Sequence, residues 1–402
     1  MTAHAPLPPL GSPAFFARPD AVLERLRRES PVHYDPGLDA WFLTRYAEVA
    51  AVLRDPACSV ARAGAITGHD SSAPDHPQWR SCQAFLSGLM VVLDPPEHTH
   101  RRGLIARAFT RARLEAYRPQ IRALADEMVT EAVAAGSFEL LPALAAPLPG
   151  RVIAQMLGVP PTRVGALASA TETIFRFFGA RAASAELVAE TCAAIETLRS
   201  YFGALAQRRG ERSLSPELPL AAAATLDERV YLAITLLAGS LETTSHLAAH
   251  ALIALLETPG AYAALVEDPS LCEAAVEEAM RFDGPALALV RTPTRALEVG
   301  GVALPAGARV YCMLHAANHD PEVFEHPERF ELQRHFSSPQ LGFGFGPHFC
   351  LGAWLSRMEV AEMLRALVRH APNLRLDGPY ERFGSFAMRG VRGLRLTSTP
   401  SL

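Results

Sequence analysis

A cysteine ends a glycine-spaced run at residues 341–350, LGFGFGPHFC. Apolar residues then recur at close to helical period, so Cys350 is predicted to open a helix, where free amide N–H groups favour a thiolate over a thiol. Gly344 and Gly346 would let the backbone approach a flat ligand closely. Phe343 and Phe345 would keep water from the sulfur. A shielded thiolate against a planar cofactor is what a haem iron needs as a strongly donating axial ligand.

The same run resembles the haem-binding signature of the cytochrome P450 family, Phe-Gly-x-Gly-x-His-x-Cys-x-Gly. Its six fixed positions are matched by Phe343, Gly344, Gly346, His348, Cys350 and Gly352. The resemblance implies haem b, iron protoporphyrin IX, with Cys350 as the thiolate ligand of the metal and the other signature residues around the cofactor. The alternative is a buried cysteine that acts as a small hydrophobic residue. Six matched positions favour the haem ligand.

A second set of residues could bind carboxylates. His98 and Arg102 are spaced i, i+4 in a predicted helix, so they share one face, and an arginine can bind a carboxylate with two hydrogen bonds. A solvated helix start is the alternative. The segment resembles the P450 helix that binds the haem propionates, and Arg291 resembles by position a second propionate-binding arginine.

The longest helical pattern, Leu226–Glu257, contains an acid followed by an alcohol, Glu242 and Thr243. Hydroxyls inside a helix compete for backbone carbonyls, so the helix is expected to open locally beside a ligand. The pair resembles the P450 acid–alcohol pair, which implies that Thr243 holds a water and Glu242 relays protons from solvent. Helix surface is the alternative. Ser240 and Leu241 replace residues that are usually glycine and polar in the family, which would narrow the oxygen groove.

A further pair is predicted to be structural. Glu278 and Arg281 are spaced i, i+3 in the helical pattern of residues 270–282, so they can pair on one face. Such a pair alone is a weak motif. Its position resembles the core ion pair of the P450 family, and Arg329 is expected to join it.

Both helices and strands are predicted to position these residues. Helices are predicted at residues 21–28, 46–54, 111–135, 144–157, 162–178, 185–209, 226–257 and 270–282, and strands at 41–44, 286–290 and 302–311. No linker divides the 402 residues, so we expect one domain over 1–402 with an extended segment at 1–20. The resemblance covers about 21–396 and implies the mainly α, triangular fold with a small β region of a soluble bacterial P450.

Composition excludes some classes of function. A net charge of −4 gives no reason to expect a nucleic-acid partner. The longest apolar run, 230–241, is too short for a membrane span, and no secretory signal precedes the helices. Six cysteines without a CxxC pair favour a reducing cytoplasm and mostly inert buried thiols.

The substrate pocket is predicted from a helical stripe and its neighbours. Its residues are Phe85, Leu89, Val91, Phe178, Leu236, Gly239, Ser240, Ala286, Leu289, Val290 and Phe386. Because these residues are small or apolar, they predict a neutral, lipophilic substrate such as a terpenoid, steroid or similar natural product. A fatty acid would fit if Arg176 turned inward.

The resemblance implies a monooxygenase that inserts one oxygen atom of O2 into its substrate. No flavin or iron–sulfur motif follows residue 396, so we expect electrons from a ferredoxin and a ferredoxin reductase. The arginines that could dock an acidic partner are Arg101, Arg107, Arg111 and Arg113. We expect a monomer. The alternatives are a peroxide-driven or oxidative-coupling member of the family and a haem sensor or carrier without catalysis.

Overall fold

The computed structural model describes residues 8–61, 77–179, 184–207 and 225–398, and helices dominate them. The α-helices are α1 (Pro13–Ala17), α2 (Asp20–Glu29), α3 (Tyr46–Arg54), α4 (Pro77–Leu86), α5 (Glu97–Ala106), α6 (Arg111–Glu115), α7 (Arg118–Ala134), α8 (Pro147–Leu157), α9 (Pro161–Gly179), α10 (Ala185–Gln207), α11 (Leu226–Glu257), α12 (Ala261–Glu267), α13 (Cys272–Asp283), α14 (Leu314–Asn318) and α15 (Ala353–His370).

The strands are short. They are β1 (Val32–Asp35), β2 (Ala40–Leu43), β3 (Cys58–Ser59), β4 (Ser137–Glu139), β5 (Ala288–Pro293), β6 (Leu297–Val299), β7 (Val302–Leu304), β8 (Val310–Met313), β9 (Arg375–Leu376), β10 (Glu381–Gly384), β11 (Arg389–Arg392) and β12 (Arg395–Thr397). The predicted class, mainly α with a small β region, is therefore confirmed.

The described residues form two compact units, each built from separate parts of the chain. The first unit contains the residues up to Ser59, His246–Cys350 and Leu374–Thr397. The second contains Val60–Ser245, Leu351–Asn373 and Ser398. The single domain expected over residues 1–402 stays a prediction.

The first unit is built on a five-stranded sheet with the order β1-β2-β8-β5-β3. The central strand β8 runs parallel to β2 and antiparallel to β5, so Val310 lies opposite Trp41 on one side and Arg291 on the other. Apolar residues of β2, β8 and α3 are buried beneath it, including Leu43, Val49 and Cys312. This core supports the loop that leads to Cys350, because Leu341 at the start of that loop is buried in the same cluster.

The second unit is helical. α7 packs on α15, and α10 packs on both α4 and α9. The helix α11 begins with a capping box, in which Thr225 Oγ1 accepts from the Glu228 amide at 3.1 Å and Glu228 Oε2 accepts from the Thr225 amide at 3.0 Å. α8 approaches α11 closely, since a Cβ on Gly150 would lie 3.2 Å from Leu241 Cδ2.

Some predicted boundaries hold and others do not. The strand predicted at 302–311 is divided into β7 and β8. α3 and α11 have the predicted bounds. The helix predicted at 111–135 is divided into α6 and α7, because Pro119 in the first turn of α7 has no amide with which to continue the preceding helix. Cys350 does not itself open a helix, since α15 begins three residues later at Ala353. The sequence also predicts loops at 59–79 and 210–222, where Gly, Ser and Pro are frequent, and both lie largely outside the described residues.

Among the described residues, no single helix has the length and apolar composition to cross a membrane. The residues Asp227–Glu257 and Ala261–Glu267 meet that criterion only when joined, and they are bent by 100°.

Most described cysteines agree with the expectation of inert thiols. Cys58, Cys272 and Cys312 are buried, and burial raises the pKa of Cys58 to about 11 and that of Cys312 to about 12. Cys350 is exposed. Cys192 departs from the expectation because it is disulfide-bonded.

Candidate active site

Cys350 ends a loop of the first unit, residues 341–350, which we call the cysteine loop. The Leu341 amide donates to Asn318 Oδ1 at 2.7 Å and anchors the start of the loop. The Gly344 amide then donates to the Leu341 carbonyl at 2.7 Å. Near the other end, the Cys350 amide donates to the Phe343 carbonyl at 2.9 Å, which closes the loop on itself. The position of the sulfur-bearing residue is thus fixed through its backbone.

Two glycines of the cysteine loop cannot be replaced without strain. Gly344 and Gly346 have φ of +74° and +76°, which other residues rarely adopt. A Cβ on Gly346 would also lie 2.8 Å from the Leu53 carbonyl oxygen, and one on Gly344 would lie 3.3 Å from Leu289 Cδ1. The loop therefore packs against α3 and against Leu289 of β5, a predicted pocket residue. Phe345 lies under Arg54, whose Cζ is 5.0 Å from the ring centroid.

The thiol of Cys350 fits the donor that a haem would require. The side chain is exposed, whereas Phe343 beside it is buried. His348 lies half-buried in a 3-10 turn, Gly346–His348, and Gly352 caps α15. The sulfur is accessible and is a soft ligand, and the glycines beside it leave no room for larger side chains. This arrangement is suited to a flat cofactor whose metal binds soft ligands.

The first unit also holds a buried guanidinium. Arg291 on β5 is buried, and its Nη1 donates to the Val290 carbonyl at 2.9 Å. A buried cation is costly unless anionic or carbonyl oxygens surround it. This chemistry fits the predicted role of Arg291 toward a propionate.

The other predicted carboxylate ligands lie on α5 of the second unit. His98 is buried and Arg102 half-buried on one helix face, as predicted. Burial, and then the Arg102 charge, lower the pKa of His98, so its ring is neutral at neutral pH and can donate through one N–H. A neutral donor beside a cation is a pairing suited to one carboxylate.

α11 carries the acid–alcohol pair without the predicted local opening. Thr243 Oγ1 donates to the Gly239 carbonyl and Ser240 Oγ to the Leu236 carbonyl, both at 2.7 Å. The helix nevertheless runs unbroken over Leu226–Glu257, because a carbonyl oxygen has two lone pairs and can accept a hydroxyl beside the ladder amide. The hydroxyls compete as expected, but they do not displace the helix hydrogen bonds.

One face of α11 is accessible in the middle of an otherwise buried helix. Gly239 is exposed and Ser240, Glu242 and Thr243 are half-buried, whereas Leu236 is buried. A Cβ on Gly239 would have no other atom within 4 Å, so this face has room for a ligand. The neighbouring Thr244 donates to Ser356 Oγ of α15 at 3.0 Å, which fixes how α11 is rotated within the second unit.

Glu242 is the titratable group on this face. Burial, and then the charge of Glu172, raise its pKa to about 7. A carboxyl that exchanges its proton near neutral pH is suited to general acid–base work.

The remaining predicted pocket residues have varied surroundings. Leu89 is buried, whereas Val91 is 54% exposed. Ala286, Leu289 and Val290 are half-buried on or before β5, and the first two pack against the first unit's core. Phe178 lies within α9, and its side chain is outside the described part.

Two predicted pocket aromatics pack against protein instead. The Phe85 ring stacks on Tyr231 with centroids 5.0 Å apart. The Phe386 ring lies in an aromatic cluster of the first unit, 4.6 Å from the Tyr311 ring. Arg176 does not turn inward, because its Nη2 pairs with Glu190 Oε2 at 2.5 Å on the surface.

The predicted ion pair is present, with a partner that the sequence did not indicate. Arg334 Nε lies 3.0 Å from Glu278 Oε1. Arg329 joins through its backbone, since its carbonyl accepts from Arg281 Nη2 at 2.8 Å while its side chain is 64% exposed. Nothing in the coil that contains Arg334 distinguishes it from its neighbours, so only the fold could identify it.

Comparison with known proteins identifies the family. The cytochrome P450 family profile matches residues 219–371. Nocardicin C N-oxygenase of Nocardia uniformis subsp. tsuyamanensis is 38% identical over 373 residues, covering 89% of each chain. The cytochrome P450 monooxygenase PikC of Streptomyces venezuelae is 34% identical over 98% of this chain and 94% of its own.

More distant matches agree. Vitamin D(3) 25-hydroxylase of Pseudonocardia autotrophica is 32% identical over 97% of this chain and 96% of its own. The crystal structure of CalO2 superposes with a TM-score of 0.87 at 27% identity, over 96% of this chain and 97% of that one. The chain therefore belongs to the cytochrome P450 family and is a haem-thiolate monooxygenase.

Proposed function

We propose that this enzyme inserts one oxygen atom of O2 into a neutral, lipophilic small molecule, and that Cys350 holds the iron of haem b. The observation that carries the proposal is the cysteine loop, which presents an exposed sulfur beside two glycines at positive φ. When bound, the haem supplies the activation of O2, and the chain supplies orientation and protons.

The cofactor residues fall into two groups, an anionic ligand for the iron and neutral or cationic donors for the propionates. Cys350 supplies a thiolate to the iron, and Phe343, Gly344, His348 and Gly352 shape the loop around it. His98, Arg102 and Arg291 bind the propionates, supported by one neutral donor and two guanidinium groups that are half-buried or buried.

Glu242 and Thr243 deliver protons. Glu242 exchanges its proton near neutral pH, and Thr243 Oγ1, which donates to the Gly239 carbonyl, retains lone pairs that can accept a hydrogen bond from a water. The exposed Gly239 leaves room for that water beside the hydroxyl.

A neutral lipophilic substrate is supported by apolar residues of α11 and of the turn after α4. Leu236, Leu89 and Val91 are apolar, and Arg176 is held at the surface by Glu190. A cavity lined in this way gains from burying apolar area and cannot hold an unpaired charge. One of the relatives, vitamin D(3) 25-hydroxylase, is named for the hydroxylation of vitamin D(3).

Oxygenation at nitrogen is a second candidate. It is favoured by the relative that is 38% identical, which is named as an N-oxygenase. Ser240 is also consistent with it, because its hydroxyl already donates to a carbonyl and can only accept from a ligand N–H in that rotamer. A substrate that carries an amine beside an apolar body would satisfy both features.

Electrons would come from a ferredoxin and its reductase. Of the arginines predicted to dock such a partner, Arg107 and Arg113 are exposed. Arg101 and Arg111 instead lie over aromatic rings of the second unit, Tyr231 and Trp354. A monomeric state and a cytoplasmic location stay predictions.

The cysteine assignment is tested by the spectrum of the reduced carbon monoxide complex. Cys350→Ser and Cys350→His are expected to lose the absorption band typical of a thiolate ligand. The matched control is Cys58→Ala, because Cys58 is a buried thiol of the same unit and should not affect the band. A thiolate band retained in either Cys350 variant would refute the assignment.

Measurements of turnover distinguish a monooxygenase from a peroxide-driven enzyme and from a haem sensor or carrier. With a ferredoxin, a reductase and a ligand found by a low- to high-spin shift of the haem, NAD(P)H consumption should depend on that ligand and yield an oxygenated product. Product formed only with added peroxide would identify a peroxide-driven enzyme. No product under either condition would indicate a haem sensor or carrier.

A further inference from the structure

Four side chains from four helices of the second unit form a continuous stack, which we call the Tyr231 stack. Tyr231 of α11 lies at its centre, with the Phe85 ring of α4 stacked at 5.0 Å. The Arg101 guanidinium of α5 lies 4.9 Å from the Tyr231 centroid. The Arg199 guanidinium of α10 lies 5.9 Å from the Phe85 centroid. Aromatic stacking and cation–π contacts of this kind are attractive and directional.

The stack also holds the backbone that follows α4. Arg101 Nη1 donates to the Gly88 carbonyl. A Cβ on Gly88 would lie 2.5 Å from Tyr231 Cζ, so the chain rests directly on the ring. The ring cannot move aside cheaply, because Phe85 and Arg101 both pack against it. Residue 88 must therefore be glycine for the turn to lie where it does.

The turn leads directly into a predicted pocket wall. The Val92 amide donates to the Leu89 carbonyl at 3.0 Å, and Met90–Val92 forms a 3-10 turn. Within this turn Met90 is buried, whereas Val91 is 54% exposed. An apolar side chain that is held by a fixed turn and left accessible is suited to contact an apolar ligand.

Tyr231 lies at the edge of the accessible face of α11, on the side of Glu242. The two residues are eleven positions apart, about three turns at 3.6 residues per turn, so their side chains project in nearly the same direction. The twelve residues from Tyr231 to Thr243 span about 18 Å at 1.5 Å per residue. A second contact fixes this end of the helix against α5, since His100 Nε2 lies 2.9 Å from Glu228 Oε1.

We propose that Tyr231 is a positioning residue that sets substrate selectivity. Its ring fixes the turn after α4, and this turn presents Val91 as an apolar wall to substrates bound along α11. The inference rests on the proposed function, in which the face with Thr243 is the reacting side of the helix. Tyr231 does not itself touch the reacting atoms.

Two azoles that bind haem iron test this wall. Imidazole lacks the phenyl ring that 4-phenylimidazole would place against an apolar wall, and each dissociation constant is read from the shift of the haem absorption band. Tyr231→Leu is expected to weaken 4-phenylimidazole about tenfold and to change imidazole by less than about twofold, since the lost packing concerns one ring. Tyr231→Phe keeps the stacking ring and should restore the parent value.

Two further variants keep the test decisive if Tyr231→Leu does not fold. Gly88→Ala pushes the turn away from the ring, and Val91→Ala shortens an exposed side chain with little effect on packing. Both should reproduce the selective loss of 4-phenylimidazole binding. Tyr117→Leu, which removes a half-buried ring elsewhere in the second unit, is the control and should change neither constant.

The outcomes distinguish the inference from the proposed function. If the parent protein binds neither azole, the proposed haem site is wrong. If the parent binds both and the Tyr231, Gly88 and Val91 variants change both constants equally, or change neither, the role of Tyr231 in selectivity is refuted.

Discussion

Arg281 donates two hydrogen bonds to Glu278, from Nε to Oε2 at 2.8 Å and from Nη2 to Oε1 at 2.7 Å. Both side chains are fully buried. The remaining Arg281 hydrogens are used as well, since Nη1 donates to the Asn318 carbonyl at 3.0 Å and to the Pro327 carbonyl at 2.9 Å. Arg334 supplies a second cation to Glu278. The pair is thus a structural centre of the first unit. Removal of its anion leaves the buried Arg281 guanidinium without its carboxylate partner, whereas Arg334 still pairs with Glu331 at 3.3 Å.

Glu278→Gln should destabilise the protein by about 3–5 kcal/mol, because breaking a buried pair leaves a buried charge without its partner. The free energy of unfolding from a urea titration measures the effect. Glu29→Gln is the matched control, since Glu29 pairs with Arg28 on the surface and should change stability by less than about 1 kcal/mol. Equal stability of the Glu278 variant and the parent would contradict a structural role for the pair.

Thr243→Ala should keep ligand binding and lower the yield of product per NAD(P)H. Without the hydroxyl, the water that it would hold is less well placed for proton delivery, and the yield is expected to fall on the order of tenfold or more. Thr235→Ala is the matched control, because Thr235 Oγ1 also donates to an i−4 carbonyl of α11, that of Tyr231, at 2.7 Å. Similar losses in the two variants would show that the effect belongs to the helix rather than to Thr243.

Turnover should fall as the pH rises through about 7, because Glu242 then loses the proton that it would donate. Glu242→Gln removes this titration and should abolish that limb of the pH–rate profile. Glu172→Gln removes the neighbouring negative charge and should move the limb to lower pH, since this charge raises the pKa of Glu242. A limb that is unmoved in both variants would assign the pH dependence to another group.

Stability should depend on pH through Glu359 of α15. Burial raises the pKa of this carboxyl to about 8 from its ordinary 4.5, and among the described residues its Oε1 has no hydrogen-bond partner. Between these two pH values the folded chain holds a proton that the unfolded chain has lost. Stability is therefore lost as the pH rises from about 4.5 to about 8, on the order of 5 kcal/mol in total.

Glu359→Gln should remove this dependence. Relative to the parent, the variant is expected to gain stability at pH 8 over its value at pH 5, measured by urea unfolding at both pH values. A difference between variant and parent that is the same at both pH values would mean that Glu359 ionises normally in the folded protein.

The sequence is sufficient to predict those features of the fold and of the site that depend on local spacing. The bounds of α11, the shared face of His98 and Arg102, and the tight turn at Gly344 follow from helical period and from the conformational freedom of glycine. It is insufficient where a partner is distant along the chain. Ser356, which accepts from Thr244, lies 112 residues away and is brought there only by packing.

Aromatic residues show the same limit in another form. Phe85 and Phe386 are predicted as pocket walls because they are large and apolar, yet the rings of both pack against other aromatic residues. Burial against protein and burial against a ligand use the same physical property, so residue type alone cannot separate them. The hydroxyls of Thr243 and Ser240 are a similar case. Residue type predicts that they compete for backbone carbonyls, but it does not predict whether the helix opens.

Asn318 takes part in two systems at once. Its backbone carbonyl accepts from Arg281, and its side-chain oxygen accepts from the Leu341 amide that starts the cysteine loop. A chain that has not yet formed the ion pair therefore has no settled anchor for the loop, so the order of assembly should place cofactor capture after core formation. The haem-to-protein ratio of freshly expressed variants would then report on whether the core around Glu278 and Arg281 has formed.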